Sequence, residues 1–562
     1  MCGICGYSGV GDQETLSKMM AAMPYRGPDG QGRWHDGRDL YLGHLRLSII
    51  DIEGGYQPIA IADQSLVVVF NGEIYNFADH RADLARRGHR FRSQTDTEVI
   101  LHLYEEHGVE LVHKLRGMFA FAIWDVGQRR LFLARDRLGI KPLYYTTRNG
   151  RFLFASEIKA LLQDPTIPRR VNEEALYHYL SFLAAPAPTT LFDGIFKLPA
   201  GHRMIVDAEG RVRTEEYWDV FDGGSPASLS PEDYATTLRQ LLQDSVRTHL
   251  MSDVPTGVLL SGGIDSTTIT ALTASLLDHP VRTFSIGFHG SDYPNEFEYA
   301  RLASQTYGTD HHQLSIGVEQ MIDFLSKLVY HQDEPIADPV CVPVYYVSQL
   351  AKERGTTVIQ VGEGSDELFA YPRWVDTLDL YDGRWQTYGR LPRPLRRLGA
   401  GLASQFSYGD RAELLRRAAY NEELFWGGAE AFTEGQKRRL LSPRLRKSLK
   451  GLNSHQVVQA YRERFLERSP LPDDYLAWMG YLDLHLRLPE LLLMRVDKMS
   501  MATSVEARVP FLDHEVVSFA MNVPRSAKLG GTGAKHLLRQ AVGDLLPPAI
   551  RDRPKQGFST PL

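Results

Sequence analysis

Apolar and polar positions alternate along residues 40–51 and 65–71, and the alternation returns at 119–124, 130–135 and 152–155. A period of two predicts half-buried strands. Turn clusters such as Asp125-Val126-Gly127 and Arg148-Asn149-Gly150 separate them. Residues 14–23 and 97–107 carry helical spacing instead, with Asp96 placed to cap the second helix. The N-terminal part therefore predicts packed sheets flanked by helices. A polar stretch at 219–231, rich in Gly, Pro and Ser, reads as a linker, and a helix is expected at 230–250. The rhythm then changes. Buried strands predicted at 256–260, 282–288 and 356–361 alternate with helices at 265–277, 297–307 and 344–354. That order predicts an α/β fold with a parallel sheet. Beyond Trp374 the pattern is mainly helical.

Length and composition narrow the class. A chain of 562 residues exceeds one ordinary core, so at least two domains are expected. We divide it into 1–218, the linker 219–231, and 232–562. With 43% hydrophobic and 23% charged residues it has the composition of a globular protein. A formal charge of −6 gives no ground for nucleic acid as a partner. No run approaches the roughly 20 apolar residues that span a bilayer, and the first residues lack the basic leader of a secretory signal. Three cysteines, Cys2, Cys5 and Cys341, cannot build a disulfide framework, and a reducing cytoplasm is the compartment expected.

Cys2 is the first candidate for chemistry. Loss of Met1 would put a thiol and a free amine on one residue. An α-amino group with a pKa of about 7.7–8 is partly neutral near pH 7 and can activate its own side chain as a nucleophile. Cys2 and Cys5 also form a C-x-x-C pair, but no helix start or second ligand pair accompanies it, so Cys5 reads as a small buried residue. Acyl transfer from a carboxamide further requires an oxyanion hole and groups for a carboxylate and an ammonium. Asn71-Gly72-Glu73 follows an apolar strand, Arg46 lies on another, and Asp96 stands at a helix start. Singly these are ordinary surface or turn residues.

Their order carries more. Met1-Cys2-Gly3-Ile4, Arg26-Gly27-Pro28-Asp29, Arg46-Leu47-Ser48-Ile49-Ile50-Asp51, Asn71-Gly72-Glu73-Ile74-Tyr75-Asn76, Gly117-Met118-Phe119-Ala120-Phe121 and Arg135-Asp136-Arg137-Leu138-Gly139-Ile140-Lys141-Pro142 occur in series. This resembles a class II glutamine amidotransferase domain. The resemblance implies an αββα sandwich of the N-terminal-nucleophile type, with Cys2 as nucleophile and Asn71 and Gly72 as the oxyanion hole. It implies that Arg46 holds the glutamine carboxylate, and that Leu47, Ser48, Ile49, Ile50, Glu73 and Asp96 complete the glutamine site.

In the second half, Leu260-Ser261-Gly262-Gly263-Ile264-Asp265-Ser266 follows a predicted strand and opens a helix. Paired glycines let backbone approach a phosphate, and the helix N-terminus offers free N–H groups. Ser261 and Ser266 can add hydroxyl donors, and Asp265 can ligate Mg²⁺. No G-x-x-x-x-G-K-[ST] is present, so this is not a P-loop of the kinase type. A second loop, Val361-Gly362-Glu363-Gly364-Ser365-Asp366-Glu367, would end a strand at the same sheet edge.

Both loops resemble those of the ATP pyrophosphatases, and with Arg495-Val496-Asp497-Lys498 and Lys535-His536-Leu537-Leu538-Arg539 they resemble asparagine synthetases. The resemblance implies ATP and Mg²⁺ as cofactors, with Asp265 and Asp366 holding the metal. Leu260, Ile286, Val361 and Gly362 would line the nucleotide pocket, Glu363 would act near the acyl-adenylate, and Lys535 would be the catalytic lysine. The implied reaction hydrolyses glutamine, channels ammonia and amidates an adenylated carboxylate. Aspartate is the default acceptor, although 333–343 offers no arginine for a second carboxylate, and some relatives are thought to amidate sugars, peptides or antibiotic precursors. A plain glutaminase, a β-lactam-forming cyclase and a non-catalytic relative are the competing readings. Relatives are often dimers, so a homodimer is expected. Gly557-Phe558-Ser559-Thr560-Pro561-Leu562 resembles a point where relatives continue, so the sequence is expected to stop short of theirs.

Overall fold

A computed structural model describes residues 2–9, 11–223, 229–289, 296–406, 410–530 and 533–555. Met1, residues 224–228 of the expected linker and the tail 557–562 lie outside the described residues.

Two six-stranded sheets form the N-terminal half. The first runs Phe196–Lys197, Tyr144–Arg148, Arg151–Ala155, Gly3–Ser8, Leu40–Arg46, Gly30–His35. The second runs Val212–Glu216, His202–Val206, Arg130–Arg135, Gly117–Asp125, Leu66–Ile74, Ile59–Ala60. Neighbours within each are antiparallel. Strand alternation sends Ile4, Leu42, Val67, Val69, Ala122, Leu133 and Phe154 into the layer between the sheets. The outer face of the first sheet packs Cys5, Tyr7 and Leu153 against Leu16, Met19 and Met20 of the helix Gln13–Ala21. The outer face of the second packs Val68, Phe70 and Phe121 on Val99 and Leu103 of the helix Asp96–His107. The layers are therefore helix, sheet, sheet, helix. Because strands here are covered on both faces, Leu66–Ile74 is buried throughout. Cys5 is a buried apolar residue, as read from the sequence.

One cap differs from expectation. Asp96 is the first residue of its helix, and the side chain that caps it is Thr95, whose hydroxyl accepts from the Thr97 N–H. Asp96 turns inward instead.

The C-terminal half holds a five-stranded parallel sheet in the order Asp310–Ile316, Arg282–Phe288, Thr256–Leu259, Val358–Gln360, Glu506–Arg508. The helices Ile264–Leu276, Phe297–Tyr307 and Cys341–Glu353 follow or precede its strands, as α/β crossovers require. The edge strand Glu506–Arg508 carries two charged residues and is fully buried; its charges pair with each other, Arg508 Nε donating to Glu506 Oε1 at 2.6 Å. Apart from that strand, the regular elements beyond Trp374 are helical among the described residues, including a ten-residue π-helical stretch Asp483–Leu492. Pro489 sits inside it, and the wider turn accommodates a residue without an N–H.

The stretch expected to link the halves starts as packed chain. Asp219 is fully buried, Val220 and Phe221 belong to the core, and Phe221 stacks on Tyr481 with centroids 5.5 Å apart. Among the described residues no helix is long and apolar enough to cross a membrane.

Candidate active sites

Pairing of Gly3 with Leu45 brings Cys2 to the end of strand Leu40–Arg46, and strand Leu66–Ile74 of the facing sheet supplies Asn71. The Cys2 N–H donates to Asn71 Oδ1 at 2.9 Å. That bond fixes the amide's orientation and leaves Asn71 Nδ2 buried with no hydrogen-bond partner among the described residues. An unused donor beside a thiol is suited to an oxyanion. Gly72 has φ +155°, and a Cβ there would lie 2.0 Å from the Met118 carbonyl oxygen, so only glycine fits this close approach. Cys2 is buried, its Sγ is 3.9 Å from the Leu47 carbonyl oxygen, and burial pushes the thiol pKa up. The thiol thus needs a base.

Two carboxylates stand nearby. Glu73 Oε1 is 3.5 Å from the Arg508 guanidinium, while its Oε2 is buried without a hydrogen bond among the described residues. Burial, then the neighbouring Glu506 and Asp96, raise the Glu73 pKa well above the carboxylate range. Asp96 Oδ2 accepts the Ile74 N–H at 2.9 Å, and burial raises its pKa to about 6. Two carboxyls that resist ionisation make a receptor for an ammonium, which would relieve both. Arg46 is placed differently from an open anion clamp. Its guanidinium donates to the carbonyls of Asp51 at 2.6 Å, Ile52 at 2.8 Å and Ile50 at 3.4 Å, and lies over the Tyr56 ring. It holds the loop that carries Leu47, Ser48, Ile49 and Ile50. Leu47 and Ile49 pack on Val358 and Met501 of the other half; Ser48 N–H donates to Asp29 at 2.8 Å.

The second site is a cavity of about 540 Å³ at the carboxyl ends of the parallel strands. Leu260, Ser261, Gly263, Asp265, Ser266, Ile286, Val361, Gly362, Glu363 and Asp366 all line it. Gly262 does not; it turns the loop at φ +72°, where a Cβ would be 2.5 Å from Ala300 N. Ser261 and Ser266 hydroxyls are 3.0 Å apart. Lys535 Nζ bridges Asp265 at 2.6 Å and Asp366 at 2.7 Å. Lys555, which the sequence reading passed over, bridges the same pair at 3.1 and 2.9 Å. Burial pushes the Asp265 carboxyl up, but these ammonium groups outweigh it and hold the pKa low. Two carboxylates on facing loops are oxygen donors that fit Mg²⁺. Deeper in the cavity, Arg495 pairs with Asp338 at 2.6 Å and with Glu363 at 2.5 Å.

One helix touches both sites. From Leu493–Met501, Arg495 faces the cavity, Asp497 accepts from Arg26 Nη1 at 2.9 Å, and Lys498 pairs with Asp333 at 2.7 Å. Arg26 is fully buried and also donates through Nε to the Cys2 carbonyl at 3.1 Å. The sequence reading quoted Arg26 within a motif and gave it no role. A cation flanked by Gly-Pro-Asp marks a turn, and its partner lies 471 residues away.

A buried cysteine at position 2 of a four-layer sandwich, in one chain with a cavity at the carboxyl ends of a parallel sheet, is the arrangement of a two-site enzyme. A glutamine amidotransferase domain model matches residues 1–218 and an asparagine synthase model matches 237–562. The chain is 35% identical to asparagine synthetase [glutamine-hydrolyzing] 1 of Bacillus subtilis, over all of this chain and 87% of that protein. It is 35% identical to a putative asparagine synthetase [glutamine-hydrolyzing] of Mycobacterium tuberculosis, over all of this chain and 86% of that one. It is 28% identical to the amidase chry2 of Gibberella zeae, over 98% of this chain and 85% of that one. The chain belongs to the glutamine-hydrolysing asparagine synthetase family, whose members are ATP-using ligases.

Proposed function

We propose that this chain hydrolyses glutamine at Cys2, passes the ammonia internally to the second cavity, and there amidates an adenylated carboxylate, with aspartate as acceptor and asparagine, AMP and pyrophosphate as products. The observation that carries the glutamine step is the buried, unused Asn71 Nδ2 held beside Cys2. With Met1 removed, the freed α-amine takes the thiol proton. The thiolate attacks the glutamine carboxamide, the oxyanion is met by Asn71 Nδ2 and the Gly72 N–H, the α-ammonium gives its proton to the amide nitrogen, and ammonia leaves as the thioester forms. Water then releases glutamate. Glu73 and Asp96 hold the glutamine ammonium, with Arg46 ordering the loop 47–50 around it.

In the cavity, Asp265 and Asp366 would hold magnesium, which would neutralise phosphate charge. Ser261, Gly263 and Ser266 would cradle the phosphates, with Gly262 turning the loop that carries them, while Leu260, Ile286, Val361 and Gly362 would line the nucleoside. The acceptor carboxylate attacks the α-phosphorus, and Lys535 and Lys555 stabilise the departing pyrophosphate. Ammonia adds to the acyl carbon near Glu363, and AMP leaves. Arg495 between Asp338 and Glu363 supports an amino acid as acceptor, since the cation suits its carboxylate and the anions its ammonium. We assign the two activities to 1–218 and 232–562, joined through 219–231, in a cytoplasmic homodimer.

A second reading keeps the chemistry and changes the acceptor to a sugar, peptide or antibiotic-precursor acid. It is favoured by the apolar wall of Pro339, Val340, Pro343 and Val344. AMP release with glutamine and a panel of acids separates the readings. Aspartate should be preferred at least tenfold. AMP with other acids alone selects the second reading, and glutamate without AMP from any acid reduces the protein to a glutaminase.

A further inference from the structure

Away from both active sites, three side chains converge on the amidotransferase half. His89 follows Gly88, whose φ of +102° turns the chain off the helix Phe77–Arg86. His102 and Glu105 lie three residues apart on the helix Asp96–His107, and so on one face. His89 Nδ1 is 3.1 Å from His102 Nδ1, His102 Nδ1 is 2.6 Å from Glu105 Oε2, and His89 Nδ1 is 3.4 Å from the same oxygen. A tetrahedral ion with bonds of about 2.0–2.1 Å spaces its ligands about 3.3 Å apart, a length within the range of these edges.

The surroundings match what such ligands require. A histidine that binds through Nδ1 carries its proton on Nε2 and donates it to a carboxylate. His89 Nε2 is 2.9 Å from Glu106 Oε1. His102 Nε2 is buried, has no hydrogen-bond partner among the described residues, and has Glu98 Oε1 3.8 Å away. Without an ion, two Nδ1 atoms and a carboxylate compete for one proton. Glu105 is exposed, so a fourth position would open to water.

We propose that His89, His102 and Glu105 bind a divalent transition-metal ion, zinc being the ion the donor set fits best. The ion clips the turn after the first helix onto the second. Between its ligands runs 90–101, in which the Gln94 N–H donates to Asp51 Oδ2 at 2.7 Å. Residues of that segment thus reach the loop that Arg46 orders.

The test uses the whole chain, dialysed free of metal and titrated with Co²⁺ and Zn²⁺. Co²⁺ should give an intense visible band of a four-coordinate nitrogen and oxygen site, saturating at one equivalent and displaced by Zn²⁺. Zn²⁺ should raise the Tm. His89→Gln, at a half-buried position, and Glu105→Gln, at an exposed one, should abolish the band and the Tm rise. Glu106→Gln, which removes the carboxylate on His89 Nε2 and otherwise only an exposed contact with Arg87 at 3.6 Å, should weaken binding about 10–100-fold. No such band, or a band untouched by both His89→Gln and Glu105→Gln, overturns the proposal. A sulfur-to-metal transition would place the ion at a cysteine and overturns it equally.

Discussion

At the residue scale, Asn71 divides its amide between structure and chemistry. Its oxygen holds the Cys2 N–H, and its nitrogen, without a hydrogen-bond partner among the described residues, is the donor we propose for the oxyanion. Asn71→Ala should lower glutamine-dependent kcat about 10²–10³-fold, the usual cost of one such donor. Synthesis driven by added ammonia should persist. Cys2→Ala should abolish glutamine use outright and also spare ammonia-driven synthesis; loss of both activities would contradict two separate sites. Asp96 sets a pH dependence. Its pKa is about 6 where an ordinary aspartate is at 3.8, because it is buried. Below about pH 6 it carries a proton and cannot pair with the glutamine ammonium, so KM for glutamine should rise as pH falls through 6. Asp96→Asn should show a high KM with that dependence removed. For the empty protein the linkage has the opposite sign. A carboxyl raised by burial favours folding fully below the unfolded pKa, and the gain is lost as pH rises through about 6.

At the scale of elements, the helix Leu493–Met501 joins the two sites, and one substitution on it tests that. Asp497→Ala leaves Arg26 with Glu157 as its remaining carboxylate, the pair being 3.1 Å apart and fully buried. Breaking a buried pair costs about 3–5 kcal/mol, so the Tm should drop. The specific expectation is uncoupling: more glutamate formed per AMP released, because Arg26 also holds the Cys2 carbonyl. An unchanged glutamate-to-AMP ratio would reduce the helix to a structural role. Such elements are also where sequence reading reached its limit. The strands at 65–71 and 130–135 were legible as short apolar runs bounded by turn residues, although the structure buries both of their faces and not one. Glu506–Arg508 was not, since hydropathy reads two charges as surface, and their burial is compensated by the pairing at 2.6 Å and by the bonds Arg508 donates to the His249 and Met251 carbonyls. Loops with glycine at forced positions, Gly72 and Gly262, were legible as motifs because backbone approach restricts the residue. Lys555 was not, because a lone lysine near a chain end has no local signature. Its function lies in reaching Asp265 from 290 residues away. Convergence of this kind is a property of the fold.

At the scale of the whole molecule, the two halves share one core. Leu138, Ile140, Trp218 and Phe221 of the first half pack in the same apolar cluster as Phe465, Trp478 and Tyr481 of the second. Charged side chains are paired or hydrogen-bonded across the same boundary. Arg116 meets Asp244 at 2.7 Å and Asp513 at 2.8 Å, Asp219 accepts from Tyr481 at 2.8 Å, and Glu73 faces Arg508. Pulling the halves apart would expose the cluster and strand several buried ions at once, each at a cost of kilocalories. Separate domains usually unfold in separate steps, but here neither half keeps its charges paired alone. We therefore expect one cooperative urea transition. Tryptophan reports from both halves, with Trp34, Trp124 and Trp218 in the first and Trp374, Trp385, Trp426 and Trp478 in the second. Variants retaining only one set should give coincident midpoints, and a fragment of residues 1–222 should fail to fold. Two resolved midpoints, or a folded fragment that still cleaves glutamine, would show that the amidotransferase half stands without its partner. The coupling through Arg26 would then be an addition to an independent enzyme. With a single transition, the same contacts that keep the halves folded also hold the two sites in register.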